Sequence, residues 1–344
     1  MALPKQLSIY AQNVNTGGAK MLLHTLVEHI LRDYSHVHVR VLVGSSLDFE
    51  LRHPRLTLEV LPTVWSKVAA MWQKEEHVLY FGNLPPLRPS RAGIVYIHNA
   101  YLAASYTELW QDDRISLTAR LKTMALRAYL EHFSQNVETV ACQTPQMEKR
   151  LGSFLDNKIR LLPFYREVEK QPLPRQYDLC YVGLPSAHKN HERLLDALML
   201  LSQRGVEASI ALTIPDFPEN QSLLKQLDEL HKAGRIKVAN YGMGPFELVQ
   251  RIYNSSRALV YPSLKESFGL PIIEAVSLGL ELLISELPYA DDVVTGGARF
   301  DPTSVESIAD CIERFLEHPE TIPPVELRIQ NTIDRIVQHL LLWD

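Results

Sequence analysis

Two carboxylates, Glu266 and Glu274, bracket a Phe-Gly-Leu-Pro turn at residues 268–271. An apolar run ending in Tyr261 precedes the turn, and a segment of helical spacing that closes at Gly279 follows it, which predicts strand, loop and helix. Glycine lets the backbone approach a ligand closely, proline suits a first helical turn, and a helix N-terminus attracts anions. The spacing therefore predicts a phosphate at the turn with an acid on each side for hydroxyl groups. A plain strand–loop–helix junction is the alternative.

Length and composition indicate the class of protein that carries this turn. The chain has 344 residues, of which 46% are hydrophobic and 22% charged, as expected of a globular protein with two domains. No run of about eighteen apolar residues predicts a transmembrane helix, and the N-terminus lacks the pattern of a signal peptide. Cys142, Cys180 and Cys311 lie far apart in apolar contexts, without the spacing of a disulfide framework or a metal site. These features predict a cytoplasmic protein.

Charge is distributed unevenly along the chain. Residues 1–165 hold 18 Lys and Arg against 14 Asp and Glu, which leaves 17 against 26 for residues 166–344. A basic excess in the first half is compatible with an anionic lipid surface, as is the helix predicted at Ser116–Phe133, where Arg120 and Lys122 lie beside leucines. Ordinary surface variation and a core-facing helix are the alternatives.

Each half of the chain alternates short runs typical of strands with stretches of helical spacing. The predicted strands are Gln6–Ala11, Val37–Val43, Leu56–Leu61, Val78–Phe81, Gly93–His98, Thr139–Gln143, Ile159–Leu162, Leu179–Val182, Ala208–Ile214, Ile236–Ala239, Ala258–Tyr261 and Glu281–Ser285. The predicted helices are Ala19–Arg32, Ser116–Phe133, one from Thr144-Pro145, His191–Gln203, Glu219–Ala233, Pro245–Asn254, Leu270–Leu278, Ser304–His318 and Val325–Trp343. This alternation predicts an α/β protein of two Rossmann-like, doubly wound parallel sheets, joined by the proline-rich residues 163–174.

Polar and glycine-rich segments follow predicted strands in both halves. Gly17 and Gly18 open a helix after the first strand, His98 ends the strand predicted at residues 93–98, and Lys189 precedes a helix. Ligands of parallel sheets bind beyond the carboxyl ends of the strands, so the cleft between the two domains is the expected site. The chain has neither a G-x-G-x-x-G fingerprint nor a P-loop signature, and no paired-cysteine or His-x-x-x-His spacing predicts a metal.

Taken in order, these motifs resemble those of retaining glycosyltransferases of the GT-B fold, in the group called glycosyltransferase family 4. Residues 262–275 read Pro-Ser-Leu-Lys-Glu-Ser-Phe-Gly-Leu-Pro-Ile-Ile-Glu-Ala and resemble the family pattern P-S-x-x-E-G-F-G-L-P-x-x-E-A, with its E-x7-E pair. Further resemblances lie at residues 17–20, 142–144, 159–163, 182–183 with 189–190, and 298–308, in the family's order along nearly the whole chain.

The resemblance implies roles for individual residues. Glu274 would hold the ribose hydroxyls of a donor nucleotide, Glu266 would contact the transferring sugar, and Lys189 would neutralise the diphosphate leaving group. His98 would lie near the sugar as a catalytic residue together with Glu266 and Lys189. The resemblance also assigns donor binding to Gly17, Gly18, Gly242, Met243, Ser267, Phe268, Gly269 and Leu270.

The implied protein is a hexosyltransferase-type enzyme of EC 2.4 that needs no metal or other cofactor. It would move a sugar, with retention, from a nucleotide-sugar donor to a saccharide or lipid-linked glycan acceptor in surface polysaccharide (O-antigen, capsule) biosynthesis. Residues 1–165 would bind the acceptor, residues 166–325 would bind the nucleotide sugar, and residues 326–344 would form a helix that crosses back to the first domain. The enzyme would act in the cytoplasm or at the inner face of the membrane, with a peripheral membrane contact and no nucleic-acid partner.

Several positions depart from the family pattern. Leu184 stands where the family has a phosphate-binding arginine, so one cation is missing unless Arg193 or His188 replaces it. Ser267 replaces a glycine, and residues 215–218 replace a glycine-rich turn. These departures keep a non-catalytic GT-B subunit that binds a glycan or a partner as the alternative; a nucleotide-sugar epimerase matches the motifs less well.

Overall fold

A computed structural model describes residues 5–14, 17–44, 51–73 and 77–341 of the chain. The chain divides into two compact units. The first comprises Met1–Arg166 together with Gln330–Asp344, and the second comprises Glu167–Ile329. The division at residue 166 lies within the proline-rich segment, and the C-terminal residues group with the first unit.

A parallel sheet forms the centre of the first unit. Its strands are β1 Lys5–Ala11, β2 Val37–Val43, β3 Leu56–Val60, β4 Val78–Tyr80, β5 Ser90–Tyr96, β6 Val137–Cys142 and β7 Lys158–Leu161. They pair in the order β3-β2-β1-β4-β5-β6-β7, every neighbour parallel to the next. Because the chain adds strands first on one side of β1 and then on the other, its topological switch point lies between β1 and β4.

The second unit repeats this architecture. Its strands are β8 Tyr177–Tyr181, β9 Ala208–Leu212, β10 Ile236–Asn240, β11 Ser256–Tyr261, β12 Glu281–Ser285, β13 Val294–Thr295, β14 Ala298–Phe300 and β15 Glu326–Leu327. The main sheet is parallel, in the order β10-β9-β8-β11-β12-β14, and β13 pairs antiparallel with β15. Its switch point lies between β8 and β11.

Helices connect the strands of both sheets. They are α1 Gly17–Asp33, α2 Val64–Met71, α3 Tyr106–Gln111, α4 Leu117–Phe133, α5 Pro145–Gly152, α6 His191–Gln203, α7 Gln221–Ala233, α8 Phe246–Asn254, α9 Leu270–Ser277, α10 Pro288–Val293, α11 Val305–Glu317 and α12 Ile333–Leu341. The predicted start of α5 is confirmed, since Thr144 caps Met147 N–H and Pro145 occupies the first turn. None of the helices in the described residues is long and apolar enough to cross a membrane.

The two doubly wound parallel sheets confirm the predicted fold class, and two local predictions are wrong. The helix predicted at Val325–Trp343 begins only at Ile333, because Glu326–Leu327 form a strand instead; residues 342 and 343 lie outside the described part. Strand β5 ends at Tyr96, so His98 lies in the following loop rather than at the end of the strand.

Candidate functional site

The carboxyl ends of β8 and β11 carry the candidate site of the second unit. After β8 the chain passes Gly183 and enters a short 3-10 turn, Ala187–Lys189. After β11 it passes through residues 262–269 into α9. Because β8 and β11 flank the switch point, the segments that follow them diverge around the position where parallel sheets bind ligands.

Lys189 and Glu266 meet there in a hydrogen-bonded ion pair. Lys189 Nζ lies 2.6 Å from Glu266 Oε1, and the two side chains are 17% and 11% exposed. The same carboxylate oxygen accepts hydrogen bonds from the hydroxyls of Ser263 (2.6 Å) and Tyr261 (2.7 Å). Lys189 Nζ also donates to the Tyr261 hydroxyl at 2.9 Å. The pair is therefore held within a network rather than by a single contact.

The network keeps Glu266 ionised. Burial alone raises the pKa of its carboxyl, but the Lys189 ammonium and the hydrogen bonds from Lys189 and Ser263 outweigh burial and lower the pKa below its ordinary value. His188 lowers it further through its charge. Burial and the negative charge of Glu266 raise the pKa of Tyr261 well above its usual range. The site thus presents an ammonium, a carboxylate and a neutral phenol.

Backbone contacts fix the turn that carries Lys189. The His188 carbonyl accepts a hydrogen bond from Leu264 N–H at 2.7 Å, and the Ser263 hydroxyl oxygen lies 3.1 Å from the same carbonyl. The Lys189 carbonyl accepts one from the Tyr181 hydroxyl at 2.6 Å. The turn after β8 is therefore joined both to β8 and to the segment after β11.

Helix α9 begins directly beyond this network. Gly269 has φ of 76°, the left-handed conformation that glycine adopts without penalty, and Pro271 lies in the first turn. A Cβ at Gly269 would lie 3.3 Å from Ile272 Cδ1, so the backbone there is also tightly packed. Phe268 is buried at 2% exposure. The helix N-terminus and its partial positive charge follow Glu266 along the chain.

The two acids of the motif have different surroundings. Glu274 lies in the second turn of α9 and is 5% exposed. Burial, with the charge of Glu274 as a second cause, raises the pKa of Tyr253 well above its usual range. Glu266 lies beside Lys189. Glu274, in contrast, contributes to the raised pKa of Tyr253 on α8.

The glycine turn after β10 lies at the edge of the sheet, two strands from β8. Gly242 has φ of 64°, and Met243 is 65% exposed. The preceding Tyr241 shares a 2.6 Å hydroxyl–hydroxyl hydrogen bond with Tyr177, the first residue of β8. The hydroxyl of Tyr241 is therefore directed back towards the first residue of β8.

Arg193 and His188, the two candidates to replace the arginine expected at Leu184, have different surroundings. Arg193 Nη1 donates a hydrogen bond to Asn190 Oδ1 at 2.9 Å. Hydrogen bonds from Thr303 are the main cause of the lowered pKa of Asp301, and the charge of Arg193 lowers that pKa further. His188, in contrast, lies close enough to Glu266 to lower the pKa of that carboxyl. Of the two, His188 is the one associated with the Lys189–Glu266 pair.

The sequence pattern indicates no role for Ser263 or Tyr261, although both donate hydrogen bonds to Glu266. Ser263 lies three residues before Glu266 in the motif, and Tyr261 is the last residue of an apolar strand. A polar residue at a strand end was the available signal for each. Their convergence on one oxygen depends on the path of the loop, which a sequence does not display.

In the first unit, the carboxyl edge carries Gly17, Gly18 and His98. Both glycines are exposed at the start of α1, and Gly17 has φ of 66°. Asn15 and Thr16, which directly precede these glycines, lie outside the described residues.

His98 forms a reciprocal pair with Asn83. The His98 backbone N–H donates to Asn83 Oδ1 at 2.8 Å, which orients the amide, so Asn83 Nδ2 donates to His98 Nε2 at 3.0 Å. The ring packs against Phe81 at 4.9 Å, and burial lowers the pKa of His98 to about 4. A neutral imidazole whose Nε2 accepts a hydrogen bond carries its proton on Nδ1. At neutral pH His98 offers a dipole and no positive charge.

Among the described residues, no three His, Cys, Asp or Glu side chains cluster as a metal site requires. Cys142, Cys180 and Cys311 are buried, and none of the three forms a disulfide.

A family model described as Glycosyl transferases group 1 matches residues 166–329. The O-antigen chain mannosyltransferase RfbU of Salmonella typhimurium is 23% identical over 285 residues, which cover 77% of this chain and 74% of the relative. O-antigen chain mannosyltransferase B of Escherichia coli is 30% identical over 153 residues, which cover 44% of this chain and 39% of that protein.

Among solved structures, sucrose-phosphate synthase from Thermosynechococcus elongatus matches with a TM-score of 0.71 at 15% identity, over 98% of this chain and 94% of its own. At that identity the likeness shows the fold alone. With the two parallel sheets described above, it confirms the predicted GT-B fold.

Proposed function

We propose that this chain, whose residues 166–329 match the family model of glycosyl transferases group 1, transfers a sugar from a nucleotide-diphosphate donor to a saccharide or lipid-linked glycan, with retention at the anomeric carbon. The step belongs to the assembly of a surface polysaccharide. Two of its relatives are named O-antigen mannosyltransferases, which makes a nucleotide-linked mannose the first donor to test.

The observation that carries the proposal is the Lys189–Glu266 pair at the switch point of the second sheet, 2.6 Å between Nζ and Oε1. Glycosyl transfer from a nucleotide sugar needs a cation that stabilises the departing diphosphate, and Lys189 supplies one in a largely buried setting. Glu266 holds that ammonium in place and has the acceptor oxygens to receive a hydroxyl of the sugar. The transition state has the oxocarbenium character known from glycoside hydrolysis.

Other residues complete the proposed donor site. The N-terminus of α9, from Ser267 to Leu270, receives the pyrophosphate, and Glu274 receives the ribose hydroxyls. The turn at Gly242 and Met243 contacts the base. In this arrangement Lys189 and the dipole of α9 supply the positive charge, and the reaction proceeds without a metal ion. The leaving phosphate oxygen accepts the proton of the attacking hydroxyl on the same face of the sugar, which retains the configuration.

The test is turnover with UDP-, GDP-, ADP- and dTDP-sugars. We expect transfer or slow hydrolysis with at least one donor, undiminished in EDTA, and a product whose anomeric configuration matches the donor by NMR. Lys189→Met should lower kcat/KM by about 100- to 1,000-fold, the range seen when a transition-state donor is removed. Lys232→Met, at an exposed position on α7, is the matched control and should retain full activity. Absence of binding to every nucleotide by calorimetry would favour the non-catalytic subunit instead.

We also propose a peripheral contact with an anionic membrane. On the surface formed by α3 and the first half of α4, Trp110, Leu117 and Leu121 are 54%, 56% and 51% exposed. Arg120, which donates to the Trp110 carbonyl at 2.8 Å, and the exposed Lys122 add positive charge beside them. Exposed Trp and Leu with flanking basic side chains suit the interfacial region of a bilayer.

Sedimentation with phosphatidylglycerol vesicles tests this contact. The double variant Trp110→Ser with Leu121→Ser should bind at least about 100-fold more weakly, since each substitution removes roughly 1.5–3 kcal/mol of apolar burial. Trp65→Ser, 82% exposed on α2, is the control and should bind as the parent does. Equal loss in both variants would move the contact to another surface, and no binding by the parent would exclude it.

A further inference from the structure

Asn190 follows Lys189 and adopts an unusual backbone conformation. Its φ and ψ are 61° and 35°, in the left-handed region that Asn tolerates better than other residues with a side chain. It occupies the N-cap position of α6, where an Asn side chain usually accepts a hydrogen bond from the first turn. Here the side chain makes no such bond to the helix. This amide is buried, at 5% exposure, and forms its hydrogen bonds outside the first turn of α6.

The amide joins two other loops. Asn190 Nδ2 donates to the carbonyl of Pro262 at 3.0 Å and to that of Pro302 at 2.7 Å. Pro262 directly follows β11, and Pro302 lies two residues beyond β14. Arg193 Nη1 donates to Asn190 Oδ1 at 2.9 Å, which fixes which end of the amide is the donor. One side chain thus ties the carboxyl-end loops of β8, β11 and β14 together.

This arrangement sets the position of the pair described above. The backbone of Asn190 is continuous with Lys189, and Pro262 precedes Ser263 and Glu266 in the loop that carries the carboxylate. We propose that Asn190 is a positioning residue that fixes the separation of Lys189 and Glu266 through its carboxamide, with Arg193 as the group that orients it. Arg193 then acts on the reaction only through Asn190. The consequence for turnover rests on the proposed function, because it assumes that Lys189 stabilises the leaving diphosphate.

The variant Asn190→Gly distinguishes the contribution of the side-chain amide from that of the left-handed backbone conformation. Glycine adopts the left-handed conformation freely, so the turn is retained while both donated hydrogen bonds are lost. We expect kcat to fall by about 100-fold, the effect of misplacing a catalytic group by about 1 Å. The KM for the donor should change by less than about threefold, because Lys189 and the N-terminus of α9 are still present.

Asn254→Ala is the matched control. Asn254 is also buried and bonds backbone groups, the Gln171 N–H at 2.8 Å and the Gln250 carbonyl at 2.9 Å. It ends α8, just before β11 begins, at the opposite edge of the sheet. We expect both variants to lower the melting temperature and only Asn190→Gly to lower kcat. An equal fall in kcat, measured where both are folded, would overturn the proposal. If Asn190→Gly does not fold, Arg193→Met tests the same amide, and a kcat within twofold of the parent would overturn it.

Crystal structures of the parent and of Asn190→Gly give a readout that needs no activity. We expect the Lys189–Glu266 distance to lengthen by about 1 Å in the variant, beyond hydrogen-bonding distance. A pair that stays at hydrogen-bonding distance would overturn the positioning role, whatever the activity. A parent that uses no nucleotide sugar would defeat the proposed function, and the measured distance would still decide the role of Asn190.

Discussion

At the scale of single residues, the acid Glu266 is the most informative side chain, because it is buried and nevertheless ionised. Its pKa is lowered: burial opposes ionisation, and Lys189 and Ser263 outweigh burial. A carboxyl whose pKa is lower in the folded than in the unfolded chain stabilises the fold above its unfolded pKa, and that stabilisation is lost as the pH falls through the folded pKa. The pair therefore stabilises the protein fully at neutral pH and progressively less below the ordinary value of 4.5.

Glu266→Gln should remove this acid-dependent share of stability. The difference in free energy of unfolding between parent and variant is expected to be largest at neutral pH and to shrink below about pH 4.5. Denaturant titrations at several pH values measure it. Glu229→Gln, at an exposed position on α7, is the control and should show no such trend. A difference for Glu266→Gln that is constant with pH would mean that the carboxyl gains nothing from Lys189 on folding.

Burial determines the pKa of His98, whereas at Glu266 its effect is outweighed by neighbouring groups. Its pKa is lowered to about 4, so the unfolded chain takes up a proton from about pH 6.5 downwards while the folded chain does not. Stability is full above pH 6.5 and falls as the pH drops towards 4, by up to about 3 kcal/mol. The ring proton of His98 should titrate with a midpoint near 4 by NMR. A midpoint near 6.5 would mean that burial does not keep the imidazole neutral.

At the scale of elements, the sequence predicts regular, strongly patterned segments well. β2 is found at Val37–Val43 as predicted, because alternate β-branched residues fit a buried strand, and α6 is found at His191–Gln203. The pattern fails where tertiary pairing overrides local spacing. Residues 326–327 have apolar neighbours at helical spacing, yet they pair with β13. No local signal encodes that partner.

The candidate site shows the same difference between features that the local sequence predicts and contacts that depend on tertiary pairing. The sequence indicates Lys189, Glu266 and Gly269 because charged residues and glycine at strand ends are visible in one dimension. It does not indicate that Tyr241 turns back to Tyr177, or that Asn190 forgoes capping α6 to bond Pro262. Those contacts depend on the order of strands in the sheet, which sets the neighbours of each loop.

Substitution of Gly269 tests the junction between the loop after β11 and α9. Gly269→Ala should destabilise the protein by about 1 to 2 kcal/mol, the penalty of a side chain in the left-handed region, and should weaken donor binding as the N-terminus of α9 shifts. Gly205→Ala is matched in backbone, with φ of 85° after α6 and open space around its Cβ. It should cost similar stability and leave donor affinity unchanged. Equal donor affinities in the two variants would separate α9 from donor binding.

At the scale of the whole molecule, the chain is two units, each with its own parallel sheet and switch point. The last helix, α12, belongs to the first of them. Asp334 lies 2.8 Å from His29 Nε2, and Thr332 N–H donates to the Pro163 carbonyl at 2.8 Å. Apolar Ile336 and Val337 are fully buried. The C-terminal residues thus complete the core of the unit that the N-terminal residues begin.

A pair of core truncations tests whether the two units also unfold independently. Ile336→Ala on α12 and Ile312→Ala on α11 both remove a side chain with 0% exposure, one from each unit. Each should cost about 2 to 5 kcal/mol. Hydrogen exchange resolved by peptide should show faster exchange in β1 and β5 for Ile336→Ala, and in β8 and β11 for Ile312→Ala, since sub-global opening follows cooperative units. If either variant accelerates exchange equally in both sheets, the two units unfold as one, and α12 stabilises the whole chain rather than the first sheet.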